Sequence, residues 1–179
     1  TNFLKALPND MDVVTNAPSH SGKTGKFGFA FVSTSITNWV RLTTYNATGV
    51  PNPLVDLNHL VRFDIYSARP LKVSMGIRET GGTGPVGANG GTTGDIEWIG
   101  ATVSGTSSVA PGGKNVSANS WHTLTYDLKG DPCEGFMGNN ILDGNWGVLE
   151  SLAVTKGDTS SSLTNAIYVD NFRVVPKTN

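Results

Sequence analysis

Close to the last residue, Asn179, stands the run Ala166-Ile167-Tyr168-Val169-Asp170-Asn171-Phe172-Arg173-Val174-Val175. Its β-branched and aromatic content reads as one long strand. Alternation puts Ile167, Val169 and Asn171 on one face and Tyr168, Asp170, Phe172 and Val174 on the other. Asp170 therefore shares a face with two aromatics, a costly place for a carboxylate unless something neutralises it. A hard cation, an arginine or a cluster of backbone N–H groups would each do so.

Working back along the chain, similar short runs recur with turn residues between them. Strands are expected near Met11–Val14, Gly25–Val32, Asn38–Thr44, His59–Ser67, Leu71–Glu79, Asp95–Ala101, Trp121–Leu128, Gly147–Thr155 and Ala166–Val175. No stretch holds helical periodicity for three turns. About nine strands with little or no helix predict an all-β chain, a jelly-roll β-sandwich of two antiparallel sheets. In Leu71–Glu79 the inward set is Leu71, Val73, Met75 and Ile77, leaving Lys72, Ser74, Gly76 and Arg78 outward. In His59–Ser67, Val61, Phe63 and Ile65 point in, while Arg62, Asp64 and Tyr66 point out. In Asn38–Thr44, Val40 and Leu42 look like core, so Trp39, Arg41 and Thr43 face outward. Such polar faces with an aromatic or an arginine are solvated or bind something.

A chain of 179 residues fits a single domain, 1–179, with enough length for a real core. Net charge is −1 and charged residues are only 15%, so no cationic footprint for nucleic acid exists. The apolar runs are too short for insertion into a membrane. The single cysteine, Cys133, permits no internal disulfide and reads as a partly buried small hydrophobe. Low charge with abundant Gly, Ser, Thr and Asn suits a secreted bacterial module, and the start at Thr1 suggests a mature or excised fragment of a larger protein.

Several motifs fail on inspection. Gly82-Thr83-Gly84-Pro85-Val86-Gly87 matches G-x-G-x-x-G, but Pro85 and further glycines replace the helix that should meet a pyrophosphate. Gly22-Lys23-Thr24 resembles the end of a P-loop, yet Ala17 stands where its first glycine belongs. His20, His59 and His122 are not at metal-ligand spacing, and no G-x-S-x-G elbow is present. Glu79, Glu97, Asp127, Asp143 and Glu150 are the acids a glycosidase pair would draw on, but no two fall on one outward strand face. The glycine-rich stretch Gly81–Gly94 is long for a loop in a compact domain and is a candidate functional loop.

Three segments together resemble secreted carbohydrate-binding modules of the calcium-stabilised β-jelly-roll group, around families 4, 6, 11 and 22. They are Ser-His-Ser-Gly-Lys-Thr-Gly-Lys-Phe-Gly-Phe-Ala-Phe-Val (19–32), Ser-Trp-His-Thr-Leu-Thr-Tyr-Asp-Leu (120–128) and the closing Ile-Tyr-Val-Asp-Asn-Phe-Arg-Val-Val (167–175). The resemblance implies a non-catalytic module that targets a linked catalytic domain to a polysaccharide outside the cell. It also implies a structural calcium held by Asp170, the Lys23 carbonyl and Asp12 or Asp10, although the group has a glutamate at that last place. Such an ion would neutralise Asp170 and pin the first and last strands together.

Sugar recognition in such modules rests on aromatic platforms, with polar groups around them. The residues expected to carry it are Trp39, Trp98 and Trp146 with Arg41, Arg78 and Glu97, backed by Tyr45, Tyr66 and Asp64. Trp121 is assigned to packing or the sandwich edge. Arg41 and Arg78 either pair with acidic sugars or balance Asp64 and Glu97. Binding is expected on the concave sheet face or at the loop edge near Gly81–Trp98. On this reading Trp39→Ala or Trp98→Ala weakens binding and leaves stability nearly unchanged. A jelly-roll polysaccharide hydrolase or lyase is one alternative, and a structural or adhesive surface domain the other.

Overall fold

The computed structural model describes residues 11–31, 35–36, 38–43, 53–79, 95–106, 109–136, 138–161 and 164–178. The Gly81–Gly94 stretch, Tyr45 and Asp10 lie outside these residues. Among the described residues there are twelve strands and no helix: β1 Met11–Val14, β2 Thr24–Ala30, β3 Trp39–Thr43, β4 Leu54–Asp56, β5 His59–Ser67, β6 Leu71–Arg78, β7 Ile96–Ile99, β8 Lys114–Val116, β9 Ser120–Asp127, β10 Cys133–Gly135, β11 Trp146–Lys156 and β12 Thr164–Pro176. All nine expected strands are present. The three additions, β4, β8 and β10, are three residues each, too short for a period of two to show.

The strands form two antiparallel sheets. One has the order β1-β2-β12-β5-β9; the other runs β10-β7-β6-β11-β3, with β4 added to β11 and β8 to β6. The inward faces meet in the main core. Phe29, Val61, Phe63, Ile65 and Tyr126 of the first sheet pack against Val40, Val73, Met75, Ile77 and Val154 of the second. Tyr126 is fully buried, and its hydroxyl donates across the sandwich to the Val73 carbonyl at 2.6 Å. Burial raises its phenol well above the ordinary value.

The seven-stranded sheet also buries much of its outer face. Trp39, Trp98, Ala101 and Ala153 form a second apolar cluster there, with Ala110 and Phe136 packed against it. The segment after β7 lies over the sheet: Ser74 Oγ donates to the Gly112 carbonyl at 2.9 Å, and Trp39 Nε1 donates to the Thr106 carbonyl at 3.1 Å. Gly76 makes the fit possible. A Cβ there would come within 2.7 Å of the Trp98 ring, so only glycine lets the indole lie against the strand. Ser74, Gly76 and Arg78 are therefore buried rather than solvated.

The closing strand departs from simple alternation. Asp170 pairs with Asp64 but Arg173 pairs with Arg62, so two residues of β12, Asn171 and Phe172, oppose the single residue Phe63. Asn171 takes a φ of 52° at this bulge. The parity of every later side chain is reversed. Tyr168, Asp170 and Arg173 face outward, whereas Phe172 turns inward and stacks on Phe63 with ring centroids 4.6 Å apart. Asp170 thus shares its face with one aromatic of its own strand, not two.

Candidate functional site

The expected site residues do not form one surface. Trp39 and Trp98 are 3% and 0% exposed, so neither offers a ring face to a ligand. Each is edge-on to the other at 5.8 Å, and both contact Phe136. Their outward direction was legible; the cover over that face was not. Arg78 and Arg41 both donate to the buried carboxylate of Glu150, and Arg41 also lies 5.3 Å from the centre of the Phe136 ring. Burial, with the charge of Arg78 nearby, holds the Arg41 guanidinium below its ordinary value despite Glu150. Trp146 is half exposed at the start of β11, opposite Asp56 of β4 and apart from the others.

Glu97 turns to the core side, in register with Ile77, and is fully buried. Its Oε1 accepts the backbone N–H groups of Asn139 at 2.7 Å and Asn140 at 3.2 Å. Burial nonetheless raises its carboxyl above the usual range, with Asp95 and Asp143 adding to the rise. Glu79 is pushed up to about 7, mainly by burial and then by Asp143, Glu97 and Asp95, against the N–H of Asp143. Cys133 is half-buried as expected, its thiol pushed up to about 12 by burial and then by Glu97, Glu79 and Glu134. The fold thus gathers acids that are far apart in sequence. Glu97, sealed and held by two amides, cannot reach a polysaccharide.

Of the calcium ligands suggested by the resemblance, the two carboxylates Asp12 and Asp170 stay apart. β2 separates Asp12 from Asp170: Asp12 is opposite Lys26, which is opposite Tyr168. Asp170 Oδ2 lies 3.2 Å from His20 Nε2, and its Oδ1 accepts the Asn171 N–H at 2.7 Å. Lys23 is exposed just before β2. Among the described residues no three His, Cys, Asp or Glu side chains group as metal ligands.

The outer face of the five-stranded sheet is differently built. Strand register sets its side chains in rows. Lys26, Tyr168, Tyr66 and Trp121 lie in line across β2, β12, β5 and β9. The next row is Asp170, Asp64 and Thr123, and the one after it Arg173, Arg62 and Thr125. The three aromatic residues are half-buried, with ring centroids 6.0 Å apart for Tyr66 and Tyr168 and 5.8 Å for Tyr66 and Trp121. His20 packs on Trp121 at 4.7 Å, and the indole N–H donates to the Pro18 carbonyl at 2.6 Å.

Asp64 is the best-anchored acid on this face. It accepts Thr123 Oγ1 at 2.6 Å and Asn171 Nδ2 at 2.7 Å. Burial pushes its carboxyl up, but these bonds with the charges of Arg173 and His20 hold it below the usual range. Asp64, Asn171, Phe172 and Arg173 line an open depression of about 350 Å³. A second cavity, about 670 Å³, opens between the sheets beside Phe27, Leu42, Leu149, Val169 and Phe172. Tyr66 and Asp64 were among the sequence candidates. Tyr168 and Arg173 were not, because no local pattern shows that β12 pairs with β5.

No family model matches the chain, and no curated protein matches it. Among solved structures it is similar to the family 11 carbohydrate-binding module of a cellulosomal cellulase of Clostridium thermocellum, at 13% identity and a TM-score of 0.46, covering 94% of this chain and 82% of that one. It is also similar to the family 30 carbohydrate-binding module of another cellulosomal cellulase of that organism, at 13% identity and a TM-score of 0.48, covering 98% and 87%. A third similar structure is a family 11 module from Clostridium thermocellum in complex with a β-1,3-1,4-mixed-linked tetrasaccharide, at 14% identity and a TM-score of 0.42, covering 94% and 83%.

Proposed function

We propose that the chain is a non-catalytic carbohydrate-binding module whose site is the outer face of the five-stranded sheet. The observation that carries this reading is the aromatic row Tyr168–Tyr66–Trp121 beside the polar row Asp170–Asp64–Thr123. The C–H face of a pyranose packs on the aromatic strip, each ring contributing about 0.5–1.5 kcal/mol beyond area burial. The adjacent carboxylates, fixed by Thr123, Asn171 and His20, accept hydrogen bonds from sugar hydroxyls without having to reorganise. As part of a larger secreted bacterial protein, such a module would hold a linked catalytic domain to its polysaccharide.

Affinity electrophoresis against a broad set of plant and algal polysaccharides tests the assignment. Tyr66→Ala and Tyr168→Ala are each expected to weaken retention by about tenfold on whichever glycan binds, a loss of about 1.4 kcal/mol. Their melting temperatures should fall by only a few degrees. Unchanged retention in both variants would show that the site lies elsewhere. A wild-type chain that binds no glycan would favour a structural or adhesive domain, and release of reducing or unsaturated ends would favour an enzyme.

A structural calcium is a separate proposal that rests on the resemblance alone. If the ion is present, excess chelator lowers the melting temperature. An unchanged melt with no calcium by elemental analysis removes it.

A further inference from the structure

Among the described residues, two arginines stand side by side on the same face without a carboxylate bound to either. Arg62 of β5 and Arg173 of β12 are directly opposite each other, one row beyond the acids. Like charges in that position repel and destabilise a sheet. The other arginines near the sheets are engaged: Arg41 and Arg78 with Glu150, and Arg69 with Ser160 Oγ at 3.1 Å. Among the described residues Arg173 donates to the Asn171 carbonyl, at 2.7 Å, and the buried Nε of Arg62 finds no hydrogen-bond partner.

Among the described residues no acid makes an ion pair with either arginine, although the charge of Arg173 is felt by Asp64. Asp64 is committed to Thr123 and Asn171, Asp170 faces His20, and Asp127 is paired with Lys177 at 2.5 Å. The bulge at Asn171–Phe172 creates this arrangement. Without it, alternation from Asp170 would send Arg173 to the core side; with it, Arg173 is turned outward to meet Arg62 and to line the depression beside Asp64. Bulges often re-aim a side chain in this way next to a functional site.

We infer that the Arg62–Arg173 pair is an anion subsite, and that the glycan this face takes carries an acidic group, the carboxylate of a uronate or a sulfate ester. The inference rests on the carbohydrate-binding reading and adds to it the chemical class of the ligand. A neutral ring would lie on Tyr66 and Tyr168 while an acidic residue of the same chain reaches the arginines, past Asp64 and Asp170. Guanidinium groups suit this role because their fixed donors bind a planar or tetrahedral oxyanion through two bonds at once.

The test is retention and titration calorimetry with polygalacturonate, alginate and carrageenan, each beside its own neutral derivative, carboxyl-reduced for the first two and desulfated for the third. At least one native polymer is expected to bind about tenfold more tightly than its neutral form, with an affinity that falls steeply between about 0.05 and 0.5 M NaCl. Which polymer shows the difference tells carboxylate from sulfate. Arg173→Gln, at an exposed position, and Arg62→Gln should each remove that difference and flatten the salt dependence, while Tyr66→Ala weakens both forms alike. Equal binding of every native and neutral pair, or a preference for acidic polymers that survives in both arginine variants, overturns the anion subsite and leaves the carbohydrate-binding face intact. Binding of no polymer, acidic or neutral, overturns both.

Discussion

Trp98→Ala should lower stability by about 3–5 kcal/mol, the range for emptying a well-packed aromatic site. For a chain of this size that corresponds to a fall in melting temperature of roughly 10 °C. The indole is fully buried, touches Trp39 and Phe136 edge-on, and lies against the bare backbone of Gly76. Its removal leaves a void between the seven-stranded sheet and the covering segment that carries Thr106, Pro111 and Gly112. Neither side can close easily, because the sheet is fixed by its ladder and the cover is tied to Ser74 and Trp39. Trp39→Ala should act in the same direction. Trp146→Ala, at a half-exposed site, is expected to stay within about 0.5 kcal/mol of the parent. Thermal melts of the three variants decide the matter. A Trp98→Ala protein as stable as the Trp146→Ala protein would mean that the second cluster is not packed as described.

The contrast between these tryptophans shows what the sequence could and could not reveal. Period-two alternation located every strand of four residues or more and put Trp39, Arg41, Ser74, Gly76 and Arg78 on the outward side, where they are. Whether an outward face meets water depends on a segment that returns from elsewhere in the chain. Here the return after β7 covers it, and nothing local in Gly112 or Thr106 announces that. The same limit applies on the opposite sheet. Tyr66, Asp64 and Arg62 were visible as one outward set, but their partners came into line only when β12 was placed beside β5. A one-residue bulge then decided where Arg173 points. Non-local pairing and a local irregularity, rather than composition, make the candidate site. Composition spoke only to what the chain lacks: a net charge of −1 argues against a cationic footprint.

Glu150→Ala should be as damaging as the loss of Trp98, for an electrostatic reason. Leu149 pairs with Ile77 and Ser151 with Gly76, so Glu150 occupies a bulge in β11. Its side chain, 2% exposed, accepts from Arg78 of β6 and Arg41 of β3, with Arg78 Nη2 at 2.9 Å. One carboxylate therefore ties three strands of the sheet. Replacing it with alanine leaves two guanidinium groups facing each other in a site largely closed to water. Breaking a buried pair by deleting one partner costs about 3–5 kcal/mol, and the pairing of edge strand β3 should loosen first. Glu150→Gln keeps the shape and one acceptor but not the charge, so an intermediate loss is expected. Arg41→Ala should cost least of the three, since that side chain is 20% exposed and its removal leaves Glu150 with Arg78. Replacing Arg41 by methionine in the Glu150→Ala background should recover part of the stability, because it removes the repulsion while keeping contact with Phe136. Urea titration of the single and double variants measures these terms. Losses below about 1 kcal/mol for both Glu150 variants would mean that the pair is solvated, as surface ion pairs are, and that the edge of this sheet is held by its backbone ladder alone.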